Sequence, residues 1–142
     1  MTPIQQMLLG GGALSKKTYI DDVFSTDVYV GNATTRDITN GIDLAGEGGL
    51  VWFKDRDNGN SNHYLFDSEK LPDTESPFYS YSLAPDHTYA KGATANGLKS
   101  FNSNGYSIYT GGLNTDTNKQ VSWTFRKAPG LLDIVTYEGN GS

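Results

Sequence analysis

The stretch Gln120-Val121-Ser122-Trp123-Thr124-Phe125-Arg126 alternates polar and apolar residues without a break. A two-residue period belongs to a β-strand with one buried face and one wet face. Its plain reading turns Val121, Trp123 and Phe125 inward and Ser122, Thr124 and Arg126 outward. Gly49–Lys54 reads as a buried strand and His63–Asp67 as its partner, joined by the polar loop Asp55–Asn62. Gly97–Phe101 and Tyr106–Thr110 flank Asn102-Ser103-Asn104-Gly105, whose Asn-Gly pair is a strong hairpin signal. Val23–Val30, Phe78–Leu83 and Leu131–Tyr137 add further strands, the second with an aromatic face carrying Tyr79 and Tyr81. Trp52, Phe53, Trp123 and Phe125 are expected in the core. Seven or eight short strands with no internal helix predict an all-β fold, a single antiparallel β-sandwich of the jelly-roll kind.

Composition agrees with that reading. Gly, Asn, Ser and Thr fill more than a third of the 142 positions, and nine Tyr supply rings suited to strands. A net charge of −5 argues against a nucleic-acid partner, which needs a basic face to displace counterions. Zero cysteines remove disulfides, zinc–thiolate sites and a thiol nucleophile. No apolar run approaches the ~20 residues of a membrane span, so membrane insertion is not expected. Met7-Leu8-Leu9 has no Lys or Arg before it and makes a poor signal peptide.

The N-terminus carries the one stretch with helix grammar. Thr2 suits a cap, Pro3 the first helical position, and Ile4, Met7 and Leu8 share a face before Gly10-Gly11-Gly12 stops the helix. Two turns do not persist alone in water, so that face is expected to dock. A repeat appears at the other end. Residues 23–34 align without gaps on residues 131–142, sharing Tyr-x-Gly-Asn after paired apolar residues at an offset of 108. The expected organisation is a docking segment at 1–22, a sandwich at 23–130 and a C-terminal strand at 131–142 that resembles the start of a second repeat. Leu131, Leu132, Ile134 and Val135 would add that strand to a sheet edge of the same or a neighbouring copy.

Several strings carry a family resemblance. Gly-Gly-Leu-Val-Trp-Phe-Lys-Asp-Arg-Asp (48–57), Asn-His-Tyr-Leu-Phe-Asp (62–67), Leu-Lys-Ser-Phe-Asn-Ser-Asn-Gly-Tyr (98–106) and Ser-Trp-Thr-Phe-Arg-Lys-Ala-Pro-Gly (122–130) resemble tail-fibre and virion structural proteins of tailed bacteriophages. Gly-Ile-Asp-Leu (41–44) and the region up to Phe24 resemble them too. Those proteins carry repeats similar to laminin-G and concanavalin-like β-sandwiches. The resemblance implies a virion structural protein of the tail or a tail-associated part, made in the host cytoplasm. It implies partners among other virion proteins and a homo-oligomer, with a trimer expected from the fibre likeness. The chain departs from that pattern by ending after Asn140-Gly141-Ser142, where such proteins continue.

Site chemistry is sparse. His63 and His87 are the two histidines, and no nucleophile elbow, phosphate loop or His-x-x-x-His occurs. No inward pair of acids suggests a glycosidase, so an enzyme is not expected. Asp55 and Asp57 place alternating oxygens in the Asp55–Asn62 loop, a weak calcium candidate whose Gly59 and Phe66 miss the EF-hand positions. The loop groups Asp55, Asp57, Asn58 and Asn60, with Tyr79 and Tyr81, are candidates for contacting a host-surface glycan, because rings stack on sugars and amides bond hydroxyls. That makes a lectin-like adhesin module the second expectation.

Overall fold

The computed structural model describes residues 17–69 and 79–141. Among these residues a short 3₁₀ turn at Ile20–Asp22 leads into nine strands. They are β1 (Phe24–Val30), β2 (Arg36–Thr39), β3 (Gly49–Asp55), β4 (Tyr64–Asp67), β5 (Tyr79–Ser82), β6 (Gly92–Ala95), β7 (Leu98–Asn102), β8 (Gly105–Ile108) and β9 (Lys119–Arg126). One helical turn, α1 (Leu44–Glu47), precedes β3. Every strand pairing is antiparallel. A four-stranded sheet runs β1-β9-β3-β4, a three-stranded sheet runs β2-β8-β7, and β5-β6 forms a ribbon. The Leu65↔Leu83 bridge hooks the ribbon to β4. The all-β antiparallel sandwich expected from the alternation is the fold found.

The core lies between the two sheets. Phe53, Phe66, Tyr106 and Ile108 are completely buried. Phe53 meets Tyr106 edge-on at 5.3 Å and Phe66 at 5.7 Å, the arrangement favoured by ring quadrupoles. Between β7 and β8 the turn falls within the 102–105 stretch that the sequence marks, with Ser103 and Asn104 as its loop and Gly105 opening β8 opposite Asn102. Gly105 has φ +132°, and a Cβ there would come within 2.0 Å of the Ile38 carbonyl oxygen. Asp43 caps α1 by accepting the Gly46 N–H at 2.9 Å, and the turn plugs Leu44 into the core.

The strand that decides the fold class has its faces reversed. Gln120, Ser122 and Thr124 are buried, whereas Trp123 and Phe125 are half-buried on the opposite, outer side. Val121 is covered but belongs to that outer side. The register is the cause: Phe53 stands opposite Ser122 and Val51 opposite Thr124, so β9 shares its inner face with the large apolar groups of β3. Small hydroxyl residues leave room for those rings, and their polar atoms find partners. Tyr106 Oη and Ser122 Oγ lie 2.6 Å apart. Asn40 donates to Thr124 Oγ1 at 3.0 Å and to Asp27 at 2.9 Å. Trp52 likewise leaves the core for the outer face, and of the four aromatics assigned inside only Phe53 is there.

Further differences concern three short elements and the C-terminal stretch. β2 and β6 are four residues each, too short and polar for a periodic signal, and α1 is a single turn. The Leu131–Tyr137 stretch forms no ladder; Leu132 makes one antiparallel bridge, to Ala128. The N-terminal helix expected around Ile4, Met7 and Leu8 lies outside the described residues.

Candidate functional site

The Asp55–Asn62 loop is a structural clasp. Asp55 ends β3 on the inner face, 5% exposed. Its Oδ1 accepts the N–H groups of Asp57 (2.9 Å) and Asn58 (3.0 Å), and its Oδ2 accepts Asn118 Nδ2 at 2.8 Å. Burial raises its pKa, but these donors outweigh it and hold the carboxyl below the usual value. Asp57 accepts the Lys119 N–H at 2.8 Å, with the Lys119 ammonium 3.7 Å from its other oxygen. Asn58 turns its side chain back onto the Asn60 N–H at 3.1 Å, and the Lys54 ammonium caps the Ser61 carbonyl. The loop therefore ties the β3–β4 connection to the segment entering β9. Among the described residues no three His, Asp or Glu side chains gather as a metal would require.

Tyr81 is elsewhere. Its ring carries the Lys91 ammonium at 4.6 Å and lines a depression of about 240 Å³ with Leu65, Leu83, Ile134 and Val135. Tyr79 pairs with Ala95 in the ribbon, and its side chain lies outside the described residues. The residues expected to share one ligand site thus divide between a clasp and a ribbon groove. Of the C-terminal residues expected in assembly, Leu132 and Ile134 are half-buried, while Leu131 (45%) and Val135 (74%) are exposed.

A larger surface emerges on the outer face of the four-stranded sheet. Trp52 and Trp123 stand opposite one another on β3 and β9, with ring centroids 5.3 Å apart. The Trp52 indole donates to His63 Nδ1 at 2.9 Å, which fixes that nitrogen as an acceptor. Phe24 and Phe125 pair at 5.0 Å on the neighbouring rung. These rings are half-buried, and the exposed Val28 (60%) and Val30 (54%) lie on the same face at the sheet edge. Of these rings Trp52, Trp123 and Phe125 are the ones the sequence assigns to the core, because alternation fits either face equally well.

A second cluster joins both histidines near one end of β4. Asp86 accepts the His63 N–H on both oxygens at 3.2 Å. His87 Nε2 lies 2.8 Å from Asn62 Oδ1, and its ring stacks on Tyr89 at 4.8 Å and 6°. Tyr89 is 68% exposed, beside a depression of about 340 Å³ that Asn62 and Tyr64 also line. The sequence signal for this group is slight, since Asn62 and His87 stand 25 residues apart.

The family model described as "Domain of unknown function (DUF7483)" matches residues 20–142. No curated protein and no solved structure matches the chain.

Proposed function

The chain belongs to the DUF7483 family, a description that assigns no activity, and we propose from its surfaces that it is a non-enzymatic structural protein of a tailed-phage virion. The observation that carries this reading is the aromatic outer face of the four-stranded sheet. Paired Trp and Phe rings on the face that also carries exposed Val28 and Val30 make an aromatic-rich surface of the kind that proteins bury against one another. The sequence resemblance to tail-fibre proteins supplies the kind of assembly, with the N-terminal segment and the 131–137 segment as its connectors. Immunogold labelling of intact tailed particles with an antibody to the chain tests this. Label on the tail is the expected result. Chain found free in the lysate, with unlabelled particles, overturns the reading.

The His87–Tyr89 pair favours a second reading, a glycan-binding adhesin module. An exposed, flat ring beside Asn62 and Asp86 offers stacking and hydrogen bonding together. A glycan array run with the chain and with Tyr89→Ala separates the two. Binding lost in that variant supports the adhesin, and an array without signal removes it.

A further inference from the structure

The backbone bonding of β1 determines which of its residues are open to another strand. The Arg126 N–H donates to the Val23 carbonyl and the Gly31 N–H to the Asn118 carbonyl, both at 2.8 Å. The register between them runs unbroken from Phe24↔Phe125 to Val30↔Lys119. In an antiparallel pair the bonding direction alternates along the strand. Odd-numbered residues therefore bond to β9, and Phe24, Thr26 and Val28 aim their N–H and C=O groups away from it. Among the described residues no strand flanks β1 on that side. Arg36 Nη1 occupies the Val30 carbonyl at 3.0 Å and closes one end. The remaining edge has no bulge, proline or lysine to discourage pairing.

The same chain holds a segment of strand-like sequence whose only pairing among the described residues is the Leu132–Ala128 bridge at its start. Leu131-Leu132-Asp133-Ile134-Val135-Thr136-Tyr137 is as long as β1 and aligns with it in sequence. Val135 and Tyr137 are 74% and 89% exposed. Ile134 and Val135 lie by Leu65 and Leu83, at the β4 side of the sheet and so at the opposite edge from β1. After the short turn at 127–130 the segment could join its own β1 only by crossing over it and running parallel. A segment from another copy can run antiparallel, the stronger ladder.

We infer that residues 131–137 of one copy add as an antiparallel strand to the β1 edge of a second copy, bonding Phe24, Thr26 and Val28. This deepens the assembly reading above and rests on it. Reciprocal addition closes a dimer, and head-to-tail addition makes a ring or a filament.

The test is complementation between two full-length variants, followed by light-scattering mass with circular dichroism to verify folding. Thr26→Pro removes an N–H that points away from β9, so the inner ladder keeps its bonds while the acceptor edge is blocked. Ile134→Pro spoils the donor and leaves the edge intact. The unmodified chain is expected to assemble, each variant to dissociate at least ~10-fold more readily, and their mixture to form a 1:1 complex. Should Thr26→Pro not fold, Thr26→Lys blocks the edge by charge instead. A monomeric unmodified chain at every concentration overturns the inference. So does an Ile134→Pro chain that assembles as before while Thr26→Pro stays monomeric, since β1 would then pair with β1. A monomer that still labels the particles defeats strand addition alone, whereas complementation with unlabelled particles supports strand addition and defeats the virion reading alone.

Discussion

Asp55 is a buried carboxylate whose oxygens are all spoken for inside the fold. Two backbone N–H groups and Asn118 donate to it, and the opposing rung is a polar Gln120 rather than another acid. Asn at this position keeps an acceptor for the backbone but sets its own NH₂ against that of Asn118. Asp55→Asn is therefore expected to cost about 1–3 kcal/mol at neutral pH in urea unfolding. Because the folded pKa is depressed, the carboxylate's contribution is complete above the ordinary value of 3.8 and is lost as pH falls through the lower folded value. The gap between wild type and variant should accordingly close below about pH 4. A gap that persists in acid would show that packing, not charge, makes the clasp.

Single elements are fixed by local sterics as much as by propensity. The β7–β8 hairpin depends on Gly105, where the positive φ coincides with a 2.0 Å approach to the Ile38 carbonyl of β2. Gly41 also has positive φ (+84°) but meets nothing within 4 Å. Gly41→Ala should thus lower stability by only the ~1 kcal/mol of the left-handed backbone. Gly105→Ala should lower it by more and disturb β2 as well. Thermal unfolding of the two variants checks this, and equal losses would argue against the close approach. The hairpin was legible in the Asn-Gly pair. β2 was not, because Arg-Asp-Ile-Thr has one apolar residue and borrows its strand character from β8.

At the scale of the molecule, polar contacts between buried groups lock the two sheets together. Tyr106 on β8 reaches across the sandwich to Ser122 on β9, both fully buried. Burial also pushes the Tyr106 phenol well above its ordinary pKa, so it stays protonated. Removing either hydroxyl strands the other in the core, so Tyr106→Phe and Ser122→Ala should each cost about 1–3 kcal/mol. The double variant should cost clearly less than the sum, because no orphan remains. Strict additivity in chemical denaturation would place the two hydroxyls apart. The rings of the outer face are half-buried and carry no contact to the other sheet among the described residues.

The class of fold is legible from the residues alone. Period-two alternation, β-branched and aromatic runs and the Asn-Gly turn dictate short antiparallel strands before any long-range contact is known. They do not determine which side of β9 is the inside, since alternation reads the same when the faces are exchanged. That choice was made by the register against Val51 and Phe53 and by hydroxyl partners on the other sheet. The candidate sites followed the same rule. Asp55 was visible as an acidic loop residue, but its role as a clasp depends on Asn118, 63 residues away. Composition fixes what strands can form; only packing decides which of their faces the protein keeps and which it offers.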